Sequence, residues 1–340
     1  MSIPERRTRA TLADVAAQAG VSSMTVSRVV NNSSLISDNT RLRVEAAMEK
    51  VGYVPNSLAR GLVVRRTDVI ALIVADIMHS WFTELGHQIE VEATALGLLL
   101  VFGNTDDVPQ TEVAYVDKFS SLQVDGMIIA PASAASIRNV EVLHRRGIPL
   151  VLIDREVKGV EVDVVRGDSY SASKQLTTHL IDHGYREIAM VSGPQDVWTA
   201  NERVRGYRSA MKAAGLQPPK DAVVRAPFTR DGGRHAGSQL LVSDARPRAV
   251  VAGNSSLALG VLDVATELGL RVPDEFSIVT FDHVDSSPFP PFLTCYSQPA
   301  KEIGSLALKM LLERLQGLDA APRRAVLPGQ LHVYGSCGNH

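Results

Sequence analysis

The sequence predicts a small all-α head followed by a longer α/β body, whose two lobes are built on parallel sheets. Three observations lead to this fold class. In the first 52 residues, apolar side chains recur at helical spacing between residues that cap helices. From Asp68 onward, apolar strand-like runs alternate with helix-length segments, as in doubly wound sheets. With 340 residues, the chain is also too long for one ordinary domain.

The first two helices of the head form a helix-turn-helix pattern. Thr11 and Asp14 are spaced as a variant capping box, which predicts the start of the first helix. Gly20 ends this helix because glycine adopts a left-handed turn cheaply, and Ser22 caps the second helix. Ser37 caps a third helix, so that residues 1–52 close a small core as one domain. The apolar positions predicted to face this core are Leu12, Val15, Ala16, Ala19, Val26, Val29, Val30, Val44, Ala47, Met48 and Val51.

The outer face of the second helix predicts contact with DNA. Its residues include small, polar and basic side chains, which a helical hairpin used only for packing would not need. Recognition helices reach base edges from their first turn in the major groove. We therefore expect Ser23, Met24 and Arg28 to read bases, with Met24 contacting a thymine methyl group or shaping the fit. The other residues of this predicted DNA-binding set, with phosphate-contacting or structural roles, are Thr11, Ser22, Thr25, Ser27 and Asn31.

Residues 53–67 predict a hinge helix and linker. After Pro55, either Asn56 or Ser57 can cap a short helix that ends near Leu62. A helix of this length is not stable alone in water, so we expect it to form only when docked. Leu62 is then an apolar residue able to enter a DNA groove, or else an ordinary linker leucine.

The charge of the chain is distributed unevenly. Residues 1–66 contain ten Lys/Arg and five Asp/Glu, a net charge of +5, whereas the whole chain carries −2. The remaining residues therefore carry −7, which fits a nucleic-acid module joined to a body that does not bind DNA. Two cysteines are too few for a disulfide framework, and neither a signal peptide nor a membrane span is evident. We expect a cytoplasmic protein that is associated with the nucleoid when bound to DNA.

Residues 68–340 predict a doubly wound body with two similar lobes. The apolar runs suit parallel strands that are buried on both faces, and the segments between them are long enough for helices. We place the first lobe at about 68–165 and 296–322, and the second at about 166–295 and 323–340. The predicted strands are 69–76, 97–104, 126–132, 148–154, 187–193, 248–254 and 276–282, and the predicted helices include 80–96, 171–183, 200–214 and 256–268.

Polar residues at the ends of these strands predict a ligand site. In open α/β sheets, ligands bind beyond the carboxyl ends of the strands. Carboxylates and an amide suit hydroxyl groups, and an arginine offers a planar fork, so we expect a small polyhydroxylated ligand. The aspartates could instead cap helices, which often follow parallel strands. The candidates are Asp76, Asp154, Asn254 and Asp282, together with Arg203 on the helix after residues 187–193.

Several motifs resemble those of the lactose/galactose repressor family, and together they extend over essentially the whole chain. They are TLADVA (11–16), VSSMTVSRVVN (21–31), YVPNSLARGL (53–62), RVRGY (203–207) and PDEFSIVTFD (273–282). The resemblance implies a body like a periplasmic sugar-binding protein, with a cleft between its two lobes. It also implies that the hinge helices of a dimer enter the minor groove, where Leu62 would act as a wedge between base steps.

The resemblance also implies roles for individual residues. In the hinge, Leu58 matches the contact between the two hinge helices and Ala59 would lie against the groove; Asn56 and Arg60 complete the predicted DNA-binding set. In the body, the residues that match effector-holding positions are Asp154, Arg203, Asn254 and Asp282, and those that match the aromatic pair beside the effector are Trp81 and Phe82. Trp198 either lines the cleft or packs elsewhere, and Gln298 in the crossover is a further candidate.

The chain departs from the family pattern at five positions. Ser255 and His283 stand where aspartates are common, and Ser80 replaces a proline before the aromatic pair. His79 stands where asparagine is typical, and Ala130 stands where some members have a polar ligand contact. These departures leave the fold unaffected, but they prevent the transfer of any particular effector.

Other groups of polar residues in the sequence predict neither a metal site nor a catalytic site. His179 and His183 are spaced i, i+4, but Leu180 occupies the position of the glutamate in an HExxH zinc motif. No nucleophile–base pair is evident, so we expect no enzyme activity, no cofactor and no metal.

The sequence as a whole predicts a homodimeric transcriptional regulator that binds operator DNA under the control of a sugar or sugar derivative. We expect this regulator to be a repressor. The alternatives are a nucleobase or sugar acid acting as corepressor, and a cytoplasmic sugar-binding protein.

Overall fold

A computed structural model describes residues 10–30, 35–54, 66–218, 221–242, 246–283 and 291–338 of the chain. The protein divides into two compact units, Met1–Thr67 and Asp68–His340. The first unit contains the helices α1 (Leu12–Ala19), α2 (Ser23–Val30) and α3 (Asp38–Val51).

The caps predicted for the head are confirmed. Both hydrogen bonds of the capping box are present at α1, since Asp14 N–H donates to Thr11 Oγ1 and Thr11 N–H donates to the Asp14 carboxylate. Gly20 has a φ of 64°, in the left-handed region, and Ser22 Oγ accepts a hydrogen bond from Thr25 N–H at 3.1 Å. Ser37 caps α3 in the same way. The three helices enclose a core of Val15, Ala16, Val26, Val29, Val44 and Ala47.

The second unit alternates strands and helices. Its first half contains β1 (Val69–Val74), α4 (Ser80–Ala95), β2 (Leu99–Asn104), α5 (Pro109–Ser121), β3 (Gly126–Ile129), α6 (Ile137–Arg145), β4 (Leu150–Ile153) and β5 (Asp163–Gly167). The second half contains α7 (Ser169–Asp182), β6 (Ile188–Ser192), α8 (Trp198–Ala213), β7 (Val223–Arg225), α9 (Arg230–Leu241), β8 (Ala249–Ala252), α10 (Ser255–Glu267) and β9 (Ser277–Phe281). The chain continues through β10 (Thr294–Ser297), α11 (Ala300–Leu315), β11 (Arg324–Leu327) and β12 (Gln330–His332).

Two six-stranded sheets with matching strand order form the two lobes. The order is β11-β5-β4-β3-β1-β2 in the first lobe and β12-β10-β9-β8-β6-β7 in the second. The strand pairs are parallel except for β10 with β12. The chain passes between the lobes after β5, again after β10 and once more after β11, because α11 packs in the first-lobe core.

Two predictions about the body were wrong. We placed residues 323–340 in the second lobe, which holds for β12, but β11 pairs in parallel with β5 and so belongs to the first lobe. We also expected every apolar run to be buried on both faces. The strand β2 lies at the edge of its sheet, where Leu99 is 61% exposed and Phe102 is 40% exposed.

A buried carboxylate connects the late segments of the chain to the first lobe. Asp163 on β5 accepts hydrogen bonds from Arg314 on α11 at 3.0 Å and from Arg323, which precedes β11, at 2.8 Å. Burial alone would raise the pKa of Asp163, but the hydrogen bonds from Arg314 and Arg323 lower it to about 2. This ion-paired cluster therefore holds β5, α11 and β11 together.

Glycines allow the helices α9 and α10 to approach closely in the second lobe. A Cβ atom at Gly260 of α10 would overlap the Arg230 carbonyl oxygen of α9, and one at Gly233 would overlap the Leu257 carbonyl oxygen. The glycine-rich start of α9 therefore has a packing role.

Candidate ligand-binding cavity and nucleic-acid interface

A cavity of about 350 Å³ lies between the two lobes of the body. Its walls contain eight of the nine residues predicted to bind an effector: Asp76, Trp81, Phe82, Asp154, Arg203, Asn254, Asp282 and Gln298. The ninth residue, Trp198, does not line it. Trp198 begins α8, and the guanidinium of Arg166 stacks 4.5 Å from its ring centroid. Of the two alternatives left open for Trp198, the structure favours packing, because this indole lies against the Arg166 cation and not in the cavity wall.

Two aspartates occupy equivalent positions in the two lobes. Asp154 directly follows β4 and Asp282 directly follows β9, the corresponding strands of the two sheets. Their φ angles are 61° and 59°, a left-handed conformation that aspartate tolerates better than most residues. Each backbone N–H donates to the next strand, to Val165 O at 3.2 Å and to Tyr296 O at 2.9 Å. Sheet pairing therefore fixes both carboxylates at the cavity.

Helix capping does not account for these two aspartates. Asp154 accepts a hydrogen bond from Arg155 Nε at 3.2 Å, and Asp282 accepts from the backbone N–H and the side-chain amide of Gln298. The residue that caps a helix is Asn254, whose Oδ1 accepts from Leu257 N–H at 2.8 Å at the start of α10. The Asp76 carboxylate accepts from Met78 N–H at 2.8 Å within a local turn.

Arg203 provides a buried cation at the second-lobe wall. Its side chain donates to the Gly253 carbonyl oxygen, and its guanidinium lies 4.0 Å from the Phe281 ring centroid. Burial lowers the pKa of Arg203, although Asp154 and Asp282 oppose this effect. Burial also raises the pKa of Asp282, against the opposing charges of His79 and Arg203. Both groups are therefore held in a desolvated setting where new hydrogen bonds are strong.

Four buried polar atoms at the cavity lack hydrogen-bond partners within the described residues. They are His79 Nδ1, Trp81 Nε1, Arg203 Nε and Gln298 Oε1. Buried polar atoms are normally paired, and an unpaired one is costly. These four residues therefore have hydrogen-bonding capacity that the described residues leave unused.

Several cavity residues were not found from the sequence. Arg155 donates to Asp107 at 2.5 Å and to the Pro131 carbonyl oxygen at 2.9 Å, and it bridges Asp107 to Asp154. The adjacency of Asp154 and Arg155 after a predicted strand was the available signal for this pair. His79 was recognised only as a departure from the family pattern. The others, which carried no local signal, are Ala75, Asp106, Pro194, Thr199, Pro227, Phe228 and Thr229.

The helix α2 of the head presents an exposed polar face. Ser23, Met24 and Arg28 are exposed, and Met24 is 66% accessible to solvent. Thr25 Oγ1 lies 2.9 Å from Ser22 Oγ, which gives Thr25 a structural role in the cap, and Ser27 is half-buried. The residues of the predicted DNA-binding and hinge set that lie outside the described residues are Asn31, Asn56, Leu58, Ala59, Arg60 and Leu62.

His179 on α7 and His183 directly after it have hydrogen-bond partners within the body. His179 Nε2 lies 3.1 Å from Cys337 Sγ, and His183 Nδ1 lies 2.8 Å from the His179 carbonyl oxygen. No group of three potential metal ligands occurs among the described residues. In the same ranges, no helix is both long enough and apolar enough to cross a membrane.

A helix-turn-helix head and a two-lobed body around a ligand-sized cavity together define a transcriptional regulator with an effector-binding domain. Comparison with known families identifies the group. Residues 11–56 match the bacterial regulatory proteins of the lacI family, and residues 177–337 match the periplasmic binding protein-like domain. The chain belongs to the LacI family of sequence-specific DNA-binding regulators.

Relatives of known function are repressors and regulators, not enzymes. The transcriptional repressor CytR of Escherichia coli K12 is 32% identical over 338 residues, which cover 99% of this chain and 98% of that protein. The regulator DegA of Bacillus subtilis is 33% identical over 328 residues, covering 96% and 97% of the two chains. The lac repressor dimer bound to operator and the anti-inducer ONPF has a TM-score of 0.83 at 27% identity, covering 98% and 100%. The DNA-binding head therefore sets aside the alternative of a sugar-binding protein without a regulatory role.

Proposed function

We propose that the cavity binds a neutral sugar or sugar derivative that controls operator binding. The observation that carries this proposal is the charge of the cavity wall. Five carboxylates face two guanidiniums, and Arg155 is already engaged by two of these carboxylates. An anionic ligand would enter a site with surplus negative charge, which disfavours a sugar acid. The five carboxylates belong to Asp76, Asp106, Asp107, Asp154 and Asp282.

The shape and chemistry of the walls also suit a sugar. Trp81, Phe82 and Phe228 offer apolar faces for the C–H surface of a ring. Within the described residues, Trp81 Nε1 and Arg203 Nε are donors without a partner, and Gln298 Oε1 is an acceptor without one. We propose that hydroxyl groups bind these atoms and the carboxylates of Asp154 and Asp282, with the Asn254 amide as a further partner.

Two related structures contain sugars in their own sites. The regulator CelR was solved as a cellobiose complex and is 31% identical with a TM-score of 0.72, covering 96% of this chain and all of that one. A LacI family regulator from Enterococcus faecium was solved with bound ribose, at 27% identity and a TM-score of 0.70 over 79% of this chain and 98% of that one. These ligands supply the first probes for this chain. A nucleobase is the second candidate, favoured by the three aromatic rings of the cavity.

A thermal-shift screen tests the effector class. A ligand at a hundred times its Kd stabilises the folded protein by roughly 2.7 kcal/mol, so a true effector is easily seen. The panel contains neutral sugars, polyols, sugar acids and nucleobases, and we expect a neutral sugar to give the largest shift. A response to sugar acids alone would overturn the proposal, and a response to nucleobases alone would establish the second candidate.

The two tryptophans of the chain give a matched test of the location. Trp81 lines the cavity and Trp198 does not. The change in tryptophan emission on effector binding should persist in Trp198→Phe and disappear in Trp81→Phe. Persistence of the change in Trp81→Phe would place the ligand outside this cavity.

We also propose that the protein acts as a homodimer on a pseudo-palindromic operator. The edge strand β2 and the turn before it expose Leu96, Leu99 and Phe102, and a second copy could cover this apolar edge, on which Leu99 and Phe102 lie on opposite faces of the sheet. In this arrangement the α2 helices would enter major grooves, and the segment 53–67 would lie between them on the minor groove.

Effector binding would change the arrangement of the two lobes and, through it, the hinge segment of each protomer. The coupling free energy between effector binding and operator binding would be about 1–3 kcal/mol. Sedimentation should show a dimer that Leu99→Lys weakens, and a wild-type monomer would exclude this assembly.

The same proposal assigns roles to individual residues of the head and of the hinge. Ser23, Met24 and Arg28 would contact bases, and Leu58 would contact the partner hinge while Leu62 acts as the wedge. The protein would work in the cytoplasm, on the nucleoid whenever it occupies its operator.

A further inference from the structure

Four of the five departures from the family pattern meet in pairs between the lobes, and one of them, His79, lines the cavity. His79 Nε2 in the first lobe lies 3.3 Å from Ser255 Oγ in the second lobe. The neighbouring Ser80 Oγ donates to the His283 backbone carbonyl oxygen at 3.4 Å. Residues that differ from the pattern on one lobe therefore contact residues that differ on the other. We call the first pair, His79 with Ser255, the lobe contact.

The imidazole of His79 is not needed to hold its own segment. His79 precedes α4, where it makes no side-chain capping bond. Main-chain bonds fix the turn, because His79 N–H donates to Asp76 O at 3.2 Å and Phe82 N–H donates to His79 O at 3.0 Å. The ring is therefore positioned by its backbone and remains available for contacts at the cavity.

The second ring nitrogen of His79, Nδ1, is available for a hydrogen bond to a ligand. Nδ1 is buried without a partner within the described residues, and the residue lines the cavity. In a neutral imidazole, one nitrogen donates and the other accepts, and the partner of one sets the role of the other. The Ser255 hydroxyl can either donate or accept, so it permits both tautomers. A ligand hydroxyl also does both, and it can pair with Nδ1 in either case.

We propose that His79 is a specificity-determining contact for the effector. Its Nδ1 hydrogen-bonds a hydroxyl group of a neutral polyhydroxylated ligand, while its Nε2 holds Ser255 of the second lobe. This inference rests on the proposed function of the cavity. One ring thereby contacts both the ligand and the second lobe.

Calorimetric titration of the full chain with D-ribose and with cellobiose tests the inference. For the tighter of the two sugars, we expect His79→Ala to weaken binding about tenfold, because it removes a ligand bond and the lobe contact. Ser255→Ala removes the lobe contact alone and should weaken binding by only about threefold. His79→Asn should recover most of the affinity, since an amide offers both a donor and an acceptor.

His87 supplies the matched control. It is an exposed histidine on the helix α4 that follows His79, so His87→Ala should bind like the wild type. The double variant of His79→Ala with Ser255→Ala should bind like His79→Ala, because both changes remove one shared contact.

These outcomes distinguish the role of His79 from the effector class of the cavity. Equal affinity of His79→Ala and the wild type would overturn the role of His79 and leave the proposed function intact. Equal losses in His79→Ala and Ser255→Ala, without recovery in His79→Asn, would overturn the direct ligand contact. If the wild type binds neither these sugars nor any neutral sugar of the thermal-shift panel, the proposed function and this inference both fall.

Discussion

Removing the buried charge of Asp163 tests how the first lobe is held together. The substitution Asp163→Asn keeps the size of the side chain but leaves Arg314 and Arg323 without their carboxylate. In the wild type this carboxyl group has no exposed surface, whereas the two arginine side chains are 18% and 33% exposed. Water can therefore rehydrate the guanidiniums in part, which keeps the loss below that of a fully buried pair.

The pKa of Asp163 sets the expected loss of unfolding free energy in Asp163→Asn. Its fall from 3.8 to about 2 corresponds to roughly 2 kcal/mol of unfolding free energy at pH 7, at about 1.36 kcal/mol per pKa unit. Because the folded-state pKa is depressed, this stabilisation is fully present above about pH 4 and is lost as the pH falls toward 2. The gap between wild type and Asp163→Asn should therefore be constant from pH 7 to about 4 and narrow below that.

Urea unfolding followed by circular dichroism, repeated between pH 7 and 3, measures this gap. Asp117→Asn is the matched control, because Asp117 makes an exposed ion pair with Arg146 at 3.2 Å. Such a surface pair contributes only about 0–1 kcal/mol. The reasoning is refuted if Asp163→Asn costs no more than Asp117→Asn at pH 7, or if its gap widens on acidification.

Four further outcomes are expected. Arg203→Ala should abolish the effector-induced thermal shift and leave operator binding intact, because its guanidinium lines the cavity; loss of both would indicate a folding role. Leu62→Ala should weaken operator binding and reduce DNA bending in a permuted-site gel assay, and unchanged bending would exclude the wedge. Operator affinity should fall steeply with salt, since the basic head contacts several phosphates; a flat slope would contradict this mode of binding. Gly260→Ala should lower the unfolding free energy by about 1–3 kcal/mol in urea titrations, because its Cβ would overlap the Arg230 carbonyl oxygen; a neutral effect would contradict this packing.

The features that the sequence predicted correctly depend on neighbouring residues or on sheet geometry. The caps at Thr11, Ser22 and Ser37 involve bonds that span three residues, so spacing alone reveals them. Asp154 and Asp282 were predicted at one site because the carboxyl ends of parallel strands converge there.

The features that were missed depend on distant partners. The strand β11 is short and only partly buried, and its pairing with β5 joins residues that are far apart in the chain. The lobe contact joins His79 to Ser255, and neither residue alone predicts the other. The sequence left both alternatives open for Trp198, because it does not show that the distant Arg166 lies against this indole.

Both sheets of the body receive their last strands from residues 324–332, so neither lobe can be completed while those residues remain in the ribosome. The core of the head closes within residues 12–53, and it can fold as soon as that segment emerges. At about 5–20 residues per second, roughly tens of seconds separate the two events. The core of the head can therefore form in a nascent chain before either lobe of the body can close around a ligand.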